Sequence, residues 1–180
     1  MPSPAVSAAA VTKALRRFRR NRRGSSAVEF ALVAPVFFAL LFAIIETALV
    51  FFAGQVLETG VQDTGRLIYT SQTPGLAADF KQPLCDRVAT LFSCAGLCVD
   101  VRSYSAGTAI TITDPIDASG NFNGTCVYQP PTDLSQTVVV RAFYQWPLVV
   151  TGLGYNIANI GRDTANSKRL LAATSAFRSQ

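Results

Sequence analysis

The chain has 180 residues, a net charge of +5, four cysteines and no histidine. That length allows one membrane helix and one small domain. Without histidine the commonest general base and the commonest metal ligand are both missing, so the expectation is a non-enzyme with no catalytic residue, no metal and no cofactor.

The charge is concentrated at the N-terminus. Seven of the sixteen basic residues (Lys13, Arg16, Arg17, Arg19, Arg20, Arg22 and Arg23) precede residue 24, and no acid occurs before Glu29. Residues 25–180 then hold nine basic and eleven acidic residues, a net −2. The excess positive charge therefore belongs to a leader, residues 1–24. Because the arginines abut an apolar span, membrane topology accounts for them and no nucleic-acid partner is expected. They can also meet anionic lipid headgroups.

The apolar span carries no charge from Phe30 to Ile45 and none from Thr47 to Leu57. Phe30 to Phe52 as a helix covers about 35 Å at about 1.5 Å per residue, enough for a hydrocarbon core of about 30 Å. The basic flank is expected to stay cytoplasmic and the rest of the chain to face the other side. A cleaved secretory signal has a shorter apolar core of about 7–15 residues with its cleavage site after it. An uncut anchor explains the hydrophobicity but leaves Gly24 and Glu29 unexplained. A carboxylate such as Glu29 at the edge of a membrane segment is disfavoured unless something uses it. Glu46 lies about 25 Å along the helix from Glu29, which predicts a place near the outer interface. There it either snorkels to the headgroups or meets another membrane helix. Pro35 interrupts one helical hydrogen bond, which membrane helices tolerate when neighbours compensate.

A basic leader, Gly24, Ser25, then Glu29 at the fifth position after the glycine and Phe30 beside it, resembles a type IV prepilin processing site. The longer string Arg23-Gly24-Ser25-Ser26-Ala27-Val28-Glu29-Phe30-Ala31-Leu32-Val33-Ala34-Pro35 resembles the TadE-like pseudopilins of the tight-adherence (Tad/Flp) pilus system. Ile44-Ile45-Glu46, Gly65-Arg66, Leu170-Leu171-Ala172-Ala173 and Ala176-Phe177-Arg178 are also similar to that family; residues 74–131 are not covered. The resemblance implies cleavage by a prepilin peptidase between Gly24 and Ser25, and a structural role in pilus assembly. The implied partners are other pilins or pseudopilins and the inner-membrane assembly platform. The implied location is the bacterial inner membrane, with the N-terminus cytoplasmic and the C-terminal domain periplasmic. Glu29, Phe30 and Glu46 become the assembly residues, and the new Ser25 ammonium a partner for Glu29 of a neighbouring subunit. Glycine suits the cut because it enters a protease cleft with few conformational limits.

After the membrane segment (residues 25–53), Leu57, Val61, Thr64 and Ile68 recur at helical spacing, predicting an amphipathic extension over residues 54–73. Gly54, Gly60 and Gly65 weaken this helix but permit close packing. Thr73-Pro74-Gly75 ends it. Residues 74–180 form the outer domain. Leu76–Phe92 reads as a short helix, and Val99–Arg102 and Ala109–Thr113 as strands. Residues 114–134 read as a long loop. Thr137–Tyr144 is the strongest strand signal, stopped by Trp146-Pro147. Residues 147–166 are irregular. Arg169–Phe177 has helical propensity but is assigned as a strand on the family resemblance. The fold class is thus α+β: a long, pilin-like N-terminal spine helix followed by a small disulfide-stapled domain with an antiparallel sheet.

Cys85, Cys94, Cys98 and Cys126 all follow the apolar run. An even count beyond a membrane segment favours disulfides in an oxidising space. No paired Cys-x-x-Cys hooks suggest zinc, and three pairings are open. Asn123-Gly124-Thr125 matches a glycosylation acceptor but reads better as a turn. Asp114, Asp117, Asn121 and Asn123 lack the spacing of a calcium loop. Two other functions compete with the pseudopilin reading: an uncleaved single-pass binding protein or adhesin, and, less favoured without a catalytic constellation, an envelope enzyme.

Overall fold

The computed structural model describes Thr12 and residues 24–69, 80–133, 135–150, 155–162 and 164–178. Arg16, Arg17, Arg19, Arg20, Arg22 and Arg23 lie outside this set, as do Thr73-Pro74-Gly75 and the start of the expected Leu76–Phe92 helix. The chain divides into two compact units, Met1–Leu41 and Phe42–Gln180.

Helix α1 spans Ser25–Tyr69. In the first unit its apolar side chains face outward: Phe30 is 69 % exposed and Leu32 73 %. Leaving so many apolar groups in water is costly, and such a helix is long and apolar enough to cross a membrane. Pro35 sits inside α1, where it removes the bond to the Ala31 carbonyl.

In the second unit α1 has a buried face. Val50, Ala53, Leu57, Val61 and Thr64 are buried at helical spacing. The Ile68 side chain lies outside the described set. Thr64 Oγ1 donates to the Gly60 carbonyl at 2.7 Å, so its buried hydroxyl is satisfied. Helix α2, Lys81–Val88, packs Leu84 and Val88 beneath this face. Gly60 permits that approach: a Cβ there would lie 2.8 Å from Val88 Cγ1. Gly65 similarly admits the ring of Phe177, whereas nothing approaches Gly54 within 4 Å.

Among the described residues the sheet has three antiparallel strands in the order β1 (Leu97–Tyr104), β2 (Thr137–Pro147) and β3 (Lys168–Arg178). The two faces follow from strand alternation. Val99 and Val101 of β1, with Val138, Val140 and Ala142 of β2 and Leu171 and Ala173 of β3, face the helices. Cys98, Phe143 and Leu170 face the other way, against Ile160, Ile116 and Phe122. The sheet is thus covered by helices on one side and by loop segments on the other. The α+β expectation holds, including the last strand, which β2 pairs along its full length.

Two local expectations are corrected. Ala109–Thr113 forms no strand, and Ile110 and Ile112 are 43 % and 60 % exposed. The edge of β1 that it could have joined is partly taken by another segment. The Val101 amide donates to the Val127 carbonyl at 2.7 Å, and the Gln129 amide to the Val101 carbonyl at 2.8 Å. Nor does Trp146-Pro147 stop β2, which runs to Pro147 opposite Lys168. Lys168 directs its own amide and carbonyl outward to Ile160. This makes 147↔168 a non-hydrogen-bonded pair, in which β3 asks no N–H of position 147, so proline fits there.

Candidate functional site

The N-terminal residues expected to carry processing and assembly occupy the start of α1. Gly24 is exposed and immediately precedes the helix, and a Cβ there would meet nothing within 4 Å. Ser25 is the first helical residue. Glu29 and Phe30 follow in the next turn, both exposed. Among the described residues no hydrogen bond or ion pair engages the Glu29 carboxylate. The chain therefore presents a carboxylate and an aromatic ring outward, beside a small-residue junction.

Glu46 is placed differently. Its half-buried carboxylate accepts backbone N–H bonds from Val149 and Val150, which follow the end of β2. The Val150 amide reaches Oε1 at 3.2 Å and Oε2 at 3.1 Å. Beside it Thr47 Oγ1 donates to the Ala43 carbonyl at 2.8 Å and lies 3.2 Å from the Tyr155 hydroxyl. The carboxylate is thus engaged within its own chain, a partner that the sequence did not suggest.

The sheet holds a second polar cluster that sequence reasoning missed. Asp100 on β1 stands directly opposite Arg141 on β2. Both are buried, at 1 % and 7 % exposure. Arg141 Nη2 and Nε donate to Asp100 Oδ2 at 2.6 and 3.2 Å. Arg102 Nε donates to the same carboxylate at 3.1 and 3.2 Å. The remaining donors reach the loop above: Arg141 Nη1 to the Thr113 carbonyl at 3.0 Å, and Arg102 Nη2 to Thr125 Oγ1 at 2.6 Å. The Arg141 guanidinium also lies 5.3 Å from the centre of the Phe143 ring. The available signal was an arginine inside the apolar run Val138–Phe143. A charge there needs a partner, but only the β1–β2 register names it.

The cysteines pair as Cys85 with Cys94 and Cys98 with Cys126, their Cα atoms 5.5 and 5.3 Å apart. The first pair joins α2 to the 3-10 turn Cys94–Gly96 before β1. The second ties the loop to the face of β1 that carries Asp100. Asp114 and Asp117 cap their own turns, Asp117 Oδ1 accepting from the Ser119 and Asn121 amides at 2.9 and 2.8 Å. Among the described residues no three of His, Cys, Asp or Glu gather as a metal site.

An exposed apolar helix that begins at a Gly-Ser junction and carries an outward carboxylate in its second turn is the decisive arrangement. Residues 24–66 match the family model of the TadE-like protein. The TadE-like segment starts at Gly24 and ends three residues before α1 does, so it takes in Glu29, Phe30 and Glu46. The sheet lies outside it. No curated protein and no solved structure matches the chain. The TadE-like match points to a protein associated with the Tad pilus in a structural role, and the exposed apolar helix suggests a membrane anchor.

Proposed function

We propose that the chain is a membrane-anchored pseudopilin, cut by a prepilin peptidase between Gly24 and Ser25, that acts structurally in assembling a Tad/Flp-type adhesive pilus. One observation carries this reading: the TadE-like match and α1 begin together at the Gly24–Ser25 junction. An exposed glycine with open space around it suits a protease cleft. Before the cut the arginines hold the leader in the cytoplasm. The outer domain then lies in the periplasm, where its cysteine pairs are stable. The partners are other pilins or pseudopilins and the assembly platform in the bacterial inner membrane.

After the cut, the Ser25 ammonium of one subunit is the natural counter-charge for Glu29 of the next. Both are poorly solvated in a helix bundle, so either without the other is a buried uncompensated charge. The expected mature protein begins at Ser25 when the peptidase is present. Intact mass of the membrane-extracted protein checks this, and a retained leader overturns it in favour of an uncleaved anchor. Glu29→Ala is expected to leave membrane insertion intact and to reduce co-purification with pilus components. Normal incorporation of that variant sinks the pairing.

A further inference from the structure

The two edges of the sheet differ. The β1 edge is partly covered by residues 127–129. On β3 the even-numbered positions turn their backbone groups away from β2. Lys168 bonds outward to Ile160, and the Leu170 amide donates to Asn159 Oδ1 at 2.7 Å. Beyond that cover Ala172, Thr174 and Ala176 are exposed. Among the described residues no hydrogen bond meets their outward amides and carbonyls. A bare edge is a template for another strand, and natural edges are blunted by a charge, a proline or a bulge. Leu170–Phe177 has neither charge nor proline, and its register with β2 runs without a bulge. The same chain carries a strand-like segment that belongs to no sheet. Ala109–Thr113 alternates isoleucine with threonine, a pattern suited to a strand, and residues 105–114 are all exposed. The Thr111 and Thr113 carbonyls accept from the side chains of Tyr104 on β1 and Arg141 on β2, at 3.4 and 3.0 Å. Among the described residues the amides of Ile110, Thr111 and Ile112 have no acceptor.

We propose that Ala109–Thr113 of one copy of this chain adds as a fourth strand to the bare β3 edge of a second copy. The lengths agree: Ala109–Thr113 and Ala172–Ala176 are five residues each, about 17 Å when extended at about 3.4 Å per residue. Strand addition satisfies the backbone groups that each side leaves open. Ile110 and Ile112 share one face of such a strand, and the small side chains of Ala172, Thr174 and Ala176 leave room beside them. The two isoleucines, now 43 % and 60 % exposed, gain by leaving water. Pairing β3 with the β3 of a second copy would close the edge but leave both isoleucines in water, so the segment is the better occupant. The contact joins two different surfaces, so it is heterologous and can repeat from copy to copy. It goes beyond the pseudopilin reading and does not depend on the leader being cut.

The test uses two differently tagged copies of the full chain, purified and reconstituted together in vesicles. The donor copy carries the photo-crosslinking amino acid p-benzoylphenylalanine at Thr111. Arg169 and Arg178 bracket a stretch with no other basic residue, so trypsin releases the β3 edge as the peptide Leu170–Arg178. The expected result is a crosslink between copies that maps to this peptide. Thr174→Pro removes an outward N–H without taking a bond from β2. In the receiving copy it should abolish the crosslink, and in the donor copy it should leave it intact. Ile110→Lys with Ile112→Lys changes only exposed side chains and should give the mirror pattern, loss in the donor copy and none in the receiving copy. If neither variant shows this asymmetry, strand addition is overturned. A crosslink between copies that maps only to α1 also overturns it, and leaves the copies associated through their helices. Crosslinks confined to one copy overturn the second copy as occupant and leave the β3 edge to a different chain.

Discussion

Asp100→Ala is expected to destabilise the sheet domain by about 3–5 kcal/mol, the cost of leaving a buried charge without its partner. Among the described residues Arg141 then keeps only the Thr113 carbonyl at 3.0 Å as a hydrogen-bond acceptor. Arg102 suffers less, because its side chain is 32 % exposed and can turn to water. Replacing both members with apolar residues of similar volume, as in Asp100→Val with Arg141→Leu, is expected to recover much of the loss, because no buried charge then remains. Urea unfolding followed by Trp146 fluorescence checks both. Trp146 reports on the sheet because it packs 5.8 Å from Phe92 and 6.3 Å from Tyr144, ring centre to ring centre. A loss below about 1 kcal/mol, the range of exposed pairs, contradicts the burial argument.

Removing the Cys98–Cys126 pair is expected to cost about 3–4 kcal/mol, the chain-entropy value for a closed loop of this length. The separation is 28 residues, against 9 for Cys85–Cys94. The shorter loop restrains the unfolded chain less, so its removal is expected to cost about 1 kcal/mol less in the same treatment. Cys98→Ala with Cys126→Ala, compared with Cys85→Ala with Cys94→Ala in the same unfolding experiment, gives the order directly. A reversed order contradicts the loop-entropy account. The longer pair also fixes the loop whose Thr125 receives Arg102 at 2.6 Å. Its loss and Asp100→Ala therefore share partners, and their costs are expected to fall short of additivity: a loosened loop already admits water to the arginines.

The long helix, the outward apolar surface and the strands at Val99–Arg102, Thr137–Tyr144 and Arg169–Phe177 were legible from local pattern. Each depends on side chains a few positions apart, where β-branched alternation or an uninterrupted apolar run decides the outcome. Ala109–Thr113 has the same alternation and failed as a strand. Part of the β1 edge is bonded to residues 127–129, and no local pattern reveals that competition. For Gly24, Ser25, Glu29 and Phe30 the motif was legible because it lies in one continuous segment.

By itself the sequence determined a basic N-terminal stretch, a membrane-length apolar helix, the Gly24–Glu29 motif and an even set of cysteines. These are properties of composition and near-neighbour spacing. Tertiary structure alone decided which cysteines pair, that Asp100 stands opposite Arg141, and that Glu46 receives amides more than a hundred positions later in the chain. Each of these depends on how separate elements pack. For Asp100 and Arg141 strand register fixes the pair, because shifting a strand by one residue turns every side chain to the other face, and register is set by the packing of both faces of the sheet at once.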